Sequence, residues 1–246
     1  MLISVQQLKW LWNVNPKSIL HVGAHKGEEL PMYLNANWGD VGIYLIEAQE
    51  KLAIELATKV SDKRVKVLQA AVWSEDNVEM NFHVTSNSES SSLLDLDKHL
   101  EKYPEITEAE SYSVFTKRID SLIPRSISFD FINLDIQGAE LEALKGLGGH
   151  LESIKWIYTE VNRLELYKNC AQIADIDLYL ENFGFIRADV CWVRGKGWGD
   201  ALYIKADAVS WVIIRRVLAN LFRIKFQVRH LLSECLTKIK LLKNLH

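Results

Sequence analysis

Three apolar runs in this 246-residue chain end on an acid, and those acids are the residues best placed to do chemistry. Glu47 closes the run Ile43-Tyr44-Leu45-Ile46. Asp135 closes Phe131-Ile132-Asn133-Leu134. Glu160 follows Trp156-Ile157-Tyr158-Thr159, with Asn162 two residues on. Short continuous apolar runs of this kind read as buried strands. In an open α/β sheet, ligands bind outside the carboxyl ends of such strands. A carboxylate there can take the proton of a hydroxyl as a general base. Asp135 is the first candidate for that role, Glu160 the second and Asp200 the third. Asp135 with Glu160 and Asn162 also forms an oxygen set of the kind that holds Mg²⁺. A plainer role for Asp135 is to cap the helix that follows it.

A fourth element precedes them. The run 18–22 leads into Gly23-Ala24-His25-Lys26-Gly27 and then into a segment able to start a helix. Strand, glycine turn and helix bring backbone N–H groups up to a ligand, and a side chain at the turn would hold that ligand off. The G-x-x-x-G spacing is neither the dinucleotide fingerprint nor a P-loop. Glu47 lies roughly twenty residues past the turn, where an acid accepts hydrogen bonds from a ribose diol. It can equally start the helix after it. Ala70-Ala71-Val72 is small and apolar, suited to an adenine face. His25 and His83 are further possible bases, although a lone His beside a strand is more often a structural donor.

The elements that must carry these residues alternate. Helices are predicted over 5–12, 27–37, 51–58, 139–147 and 173–182. Strands are predicted over 18–23, 42–48, 65–73, 129–136, 155–161, 185–192 and 200–205. The turn at Glu75-Asp76-Asn77 followed by alternation over 78–84 predicts a hairpin. Residues 85–92 read as a polar loop, 93–100 as a helical turn and 114–120 as extended. Alternating strands and helices predict a largely parallel sheet with helices on both faces, closed by an antiparallel hairpin around Gly195, Gly197 and Gly199. Trp192, Trp198, Arg194 and Lys196 fall in that hairpin, where aromatics and cations can meet a sugar or simply pack the sheet edge.

Composition limits the function classes. With 48% apolar and 25% charged residues, the chain can build one sizeable core. The net charge of −3 is uneven: from Val209 onward there are eight Lys/Arg and one acid, so residues 1–208 carry −10. That sign argues against nucleic acid as a partner of the main domain. Cys170, Cys191 and Cys235 are odd in number and lack metal spacing, which suits a reducing compartment. The first residues show no basic segment followed by an apolar core, so no secretory leader is expected. A cytoplasmic location follows as the expectation.

Seven segments together resemble the FkbM family of S-adenosylmethionine-dependent methyltransferases. They are ILHVGAHKGEEL (19–30), YLIEA (44–48), AAVWS (70–74), SSSLL (90–94), TKRIDSL (116–122), FINLDIQGAELEALKG (131–146) and WGDALYI (198–204). The resemblance implies a Rossmann-like class I methyltransferase fold, with a mostly parallel seven-stranded sheet and a C-terminal antiparallel hairpin. It implies S-adenosylmethionine as cofactor. Gly23, Ala24, His25 and Gly27 would wrap its methionine part, Glu47 would hold its ribose, and Ala71 and Val72 would border its adenine. Ser91 and Ser92 fall where the family has a serine pair near the cofactor. Asp135 would face the sulfonium and the acceptor. One position departs: the family usually has an acid two residues before the first glycine, and this chain has His21.

The domain organisation expected is an N-terminal helix over 1–17, a methyltransferase domain over 18–206 and a basic amphipathic helical tail over 207–246. Apolar residues recur at helical spacing from Ile214 to Leu242 with arginines and lysines between them. Such a tail suits peripheral contact with an anionic membrane, or docking on the domain or a second copy. The leading expectation of function is O-methylation of a sugar hydroxyl on a glycan, glycolipid or related metabolite. A cofactor-binding interaction module without transfer activity is the alternative that His21 keeps open. An NAD-dependent sugar-modifying enzyme is a third reading, against which the glycine spacing speaks.

Overall fold

The computed structural model describes residues 1–96, 102–205 and Arg215. The expected tail helix over 207–246 and the end of the segment 93–100 lie outside the described residues.

The chain opens with α1 (Val5–Trp12), whose Ser4 and Gln7 form a reciprocal capping box and whose Leu8 and Trp12 enter the core. The strands follow: β1 (Ser18–Val22), β2 (Gly42–Glu47), β3 (Val65–Gln69), β4 (Ala71–Val72), β5 (Glu79–Thr85), β6 (Glu108–Lys117), β7 (Phe131–Leu134), β8 (Trp156–Asn162), β9 (Phe185–Trp192) and β10 (Trp198–Lys205). Seven of them form one sheet in the order β3-β2-β1-β7-β8-β10-β9. The pairs β1–β2, β2–β3, β1–β7 and β7–β8 are parallel, and β10 runs antiparallel to both of its neighbours. This is the class I methyltransferase order that the resemblance implies. The strand order reverses between β1 and β7, so the crevice opens at their carboxyl ends.

The strands are apolar because both faces are covered. Leu20, Val22, Ile132 and Leu134 point into one core, while Ile19, Ile43, Leu45 and Phe131 point into the other. The helices α3 (Glu50–Lys59), α4 (Ile119–Leu122), α5 (Glu140–Gly146) and α6 (Ile173–Glu181) bury their apolar residues against these faces.

Several boundaries differ from the sequence expectation, each for a local reason. The helix expected over 27–37 is only α2 (Leu30–Leu34). Gly27 has φ +80°, outside helical space, and Pro31, which lacks an N–H, favours the first turn. The strand expected over 65–73 breaks at Ala70, where the Ala70 N–H turns to the Glu47 carbonyl (3.1 Å). Beyond the break, β4 leaves the large sheet and pairs in parallel with β6. The hairpin expected after Asn77 does not form with a neighbour in sequence; β5 pairs antiparallel with the distant β6. The turn before it is held by β6 as well, through Asn77 N–H to the Thr116 carbonyl (2.8 Å). Residues 114–120 are extended only to Lys117, after which α4 begins. Within 93–96 no helix is present, and Leu96 makes an isolated bridge with Tyr167. Among the described residues, no helix is long and apolar enough to cross a membrane.

Candidate active site

A cavity of about 480 Å³ opens at the carboxyl ends of β1, β2, β7 and β8, within the size range of small-molecule sites. Of the residues singled out from sequence, its wall contains Gly23, His25, Glu47, Val72, Ser91, Asp135, Glu160 and Trp198. Ala24, Gly27, Ala71 and Ser92 are buried outside that wall. Ala24 packs in the core, Gly27 backs onto Leu56, and Ala71 packs with Phe82 and Leu93 beneath the small sheet.

Gly23 is the hinge of the site. Its φ is +86°, and a Cβ there would fall 1.8 Å from the Asp135 carbonyl oxygen. The turn after β1 therefore lies directly on the end of β7, with the Asp135 N–H donating to the Val22 carbonyl (3.0 Å). Glu47 fastens the other side of the turn. Its Oε2 accepts from His25 N–H (2.7 Å) and its Oε1 from Gln49 N–H (2.8 Å). Burial pushes the Glu47 pKa up, and these backbone donors oppose that rise. Each oxygen keeps a lone pair beyond those bonds, so the carboxylate can also accept from a ligand hydroxyl. The His25 ring is held between Glu28 Oε1 (Nδ1, 3.0 Å) and Ser88 Oγ (Nε2, 2.7 Å). His83 is held between Glu108 and Asp95, away from the cavity.

Asp135 does not cap the helix after it. No described side chain caps that helix; the Glu140 carboxylate instead closes the turn before it, accepting from Ile136 N–H (3.0 Å) and Gly138 N–H (3.0 Å). Asp135 is instead joined to Glu160 through one amide: Gln137 Nε2 donates to Asp135 Oδ1 (2.7 Å) and Glu160 Oε2 (3.1 Å). Gln137 sits at φ +56°. Its Oε1 accepts from Tyr167 OH (2.7 Å), which sets the amide's orientation, and its carbonyl accepts from Ser92 Oγ (2.8 Å). Asp135 Oδ2 has no protein partner among the described residues.

This cluster is short of positive charge. Asp135 is exposed to the cavity yet deep among protein atoms. Burial, then the Asp200 charge, pushes its pKa up to about 7. Glu160 is driven well above the usual carboxylate range by burial and then by Asp135 and Glu140. Asp200 lies outside the cavity wall, where it accepts from Tyr158 OH and Leu2 N–H. Asn162 is fully buried outside the wall, and neither of its amide atoms has a partner among the described residues. Its part in the expected magnesium set is therefore not assembled.

Sequence reading missed Gln137, Tyr103 and Tyr167. Gln137 looked like turn filler, and a non-glycine residue beside glycine at a strand end was the signal available. Tyr103 arrives from a distant loop and accepts from Trp198 Nε1 (2.8 Å).

The residues present fit S-adenosylmethionine. Gly23 lines the cavity with backbone alone. Glu47 offers acceptors, and Ile46, Ala70, Val72 and Phe82 supply an apolar slot. The surrounding carboxylates suit a ligand of net positive charge.

Comparison with known proteins agrees with this arrangement. Residues 21–187 match the methyltransferase FkbM domain family. A curated relative, the 2-O-methyltransferase NoeI of Sinorhizobium fredii, is 25% identical over 160 residues, which span 61% of this chain and 65% of that protein. The crystal structure of methyltransferase FkbM from Methylobacillus flagellatus superposes with a TM-score of 0.51 at 16% identity. That alignment covers 77% of this chain and 44% of the other. The chain thus spans less than two thirds of the length of either relative.

Proposed function

This chain belongs to the methyltransferase FkbM domain family, and on that premise we propose that it is an S-adenosylmethionine-dependent O-methyltransferase acting on a sugar hydroxyl. The observation that carries the proposal is the placement of Asp135, at the strand-order reversal, in the cavity wall, with one carboxylate oxygen open. The name of the relative NoeI, a 2-O-methyltransferase, supports oxygen as the receiving atom.

The geometry supports the following roles. Glu47 holds the ribose hydroxyls, Gly23 and His25 line the methionine end, and Val72 borders the adenine. When bound, the donor supplies a methyl group on a sulfonium leaving group. Asp135 accepts the proton of the attacking hydroxyl, so that the oxygen gains a methyl as it loses hydrogen. A base with its pKa near neutrality is matched to that task. Glu160, whose pKa burial holds well above the usual carboxylate range, sits beside it, and Gln137 holds the two side chains in register. Transfer would require the cavity walls to hold the acceptor oxygen in line with the methyl carbon. The departure at His21 does not touch the cavity wall. Its ring lies in the core within reach of Tyr33 and Asn133. The motive for a non-catalytic reading is thereby reduced.

Calorimetric titration with S-adenosylmethionine and, separately, with NAD tests the donor. Micromolar binding of the first and none of the second is expected. The reverse would overturn the proposal. Label from methyl-labelled donor should then appear as an alkali-stable ether on sugar; label on nitrogen or carboxylate would overturn the O-methyl assignment.

A further inference from the structure

The cavity has two ends. One lies over β1, β2 and β3 and contains Gly23, Glu47 and Val72; the other lies over β7, β8 and β10 and contains Asp135, Glu160, Tyr167 and Trp198. With the donor at the first end, the second receives the acceptor. Its chemistry is one-sided. Seven carboxylates line the whole cavity, and among the described residues no lysine or arginine does. Glu105 adds an exposed acid at the acceptor end, while Glu28 and Glu89 cluster with His25 at the donor end, their ligand atoms within 4.8 Å of one another.

Anionic sugars are recognised by arginine forks, lysines or helix N-termini. Among the described residues the cavity wall offers no arginine or lysine, and the ammonium it does contain, that of Met1, is paired with Glu29 (3.5 Å). The nearest helix, α5, has only seven residues, and the turn before it is held by the chain's own Glu140 carboxylate. Lys196 comes near, but its ammonium lies over the Tyr103 ring at 4.0 Å from the centroid. What remains at the acceptor end is Tyr103, Tyr167 and Trp198, whose flat faces and polar tips suit the C–H faces and hydroxyls of a neutral ring.

We propose that the acceptor is an uncharged sugar, and that the carboxylate-lined cavity rejects sugars whose reacting ring carries phosphate, sulfate or carboxylate. The inference rests on the O-methyltransferase reading and narrows its substrate class. Negative groups brought beside Asp135 and Glu105 meet like charge in a partly desolvated space and, among the described residues, find no lysine or arginine to compensate.

The test uses the full chain, methyl-labelled S-adenosylmethionine and a panel of neutral hexosides and deoxyhexosides, each with a matched phosphate ester or uronate. Label should enter neutral members, with kcat/KM lower by about tenfold or more for the charged partner. Equal or better methylation of a charged member would overturn the charge inference and leave the O-methyl reading standing. Donor binding by calorimetry with no label in any member would overturn the sugar reading itself, and this inference with it. Glu105→Lys, at an exposed position, separates cavity charge from mere fit. It should narrow the neutral-to-charged ratio by about threefold, and an unchanged ratio would count against discrimination by charge.

Discussion

His21, on β1, and Asp135, just past the end of the neighbouring parallel strand β7, lie two residues apart in register, and the protein treats them in opposite ways. His21 pairs in register with Asn133, two residues before Asp135. Its ring is enclosed, with Tyr33 OH at 3.4 Å and Asn133 Nδ2 at 3.3 Å, and burial pushes its pKa down to about 4. Asn133 also donates to Tyr33 OH (2.8 Å), so the trio closes on itself without charge. Asp135 belongs to a group that does not close: Asp135 and Glu160 share one bridging amide, Glu140 adds a third carboxylate close by, and no lysine or arginine is among their described partners. A core polar group is kept neutral and answered within the fold. A site polar group is left in excess, at a cost to stability, where a positively charged ligand can answer it. Their pH signatures oppose each other too. His21 binds a proton more readily unfolded, so its contribution falls as pH drops from about 6.5 to about 4. Asp135 binds a proton more readily folded, so its contribution falls as pH rises from about 4 to about 7.

The largest effect expected is at the open cluster. Asp135→Asn should lower kcat by roughly 10²–10⁴-fold while changing donor affinity less than about threefold. Because it removes a repelled charge, it should not lower the thermal midpoint at pH 8. Single-turnover kinetics, calorimetry and a melting curve check the three parts. Equal losses in turnover and affinity would instead make Asp135 a donor-binding residue. Next comes the joint between the two regions. Gly23→Ala forces a Cβ into the Asp135 carbonyl at a left-handed φ, and should cost about 3 kcal/mol or more in urea unfolding. A loss under about 1 kcal/mol would mean that the turn is not packed on β7 as described.

The closed trio gives the third prediction. A His21 pKa near 4 makes the folded chain about 2 kcal/mol less stable at pH 5 than at pH 7 through this residue alone. Urea unfolding at the two pH values, compared with His21→Gln, isolates that slope. If the variant keeps the whole difference, the trio is not the source.

What could be read ahead of the structure was what local pattern controls. The strands of the large sheet announce themselves as apolar runs because both faces are covered, and Glu47, Asp135 and Glu160 stand out because acids end those runs. The strand break at Ala70 was illegible, since it depends on β6 arriving from far along the chain to claim Ala71 and Val72. That Glu140, not Asp135, holds the Ile136 and Gly138 N–H groups could not be told from residue type, because both are acids beside the same turn. Tyr103, Tyr167 and Gln137 enter the cavity wall only through tertiary contacts with Trp198, Ser90 and Glu160. Positions set by encounters between loops leave no period to detect.

Gln137 gives the finest test of the difference between the two clusters. In the His21 trio each partner is part of a neutral closed set, whereas Gln137 bridges Asp135 and Glu160, and its N–H bond opposes the rise in the Asp135 pKa. Gln137→Ala removes that donor without adding charge. The ionised base is the active form, so kcat/KM should rise with pH through the Asp135 pKa, and the variant should move that limb upward by up to about one pH unit. A structural role alone would lower the plateau and leave the limb where it was. A limb that moves downward would mean that the amide holds the protonated acid instead, with Glu160 rather than Asp135 carrying the charge at neutral pH.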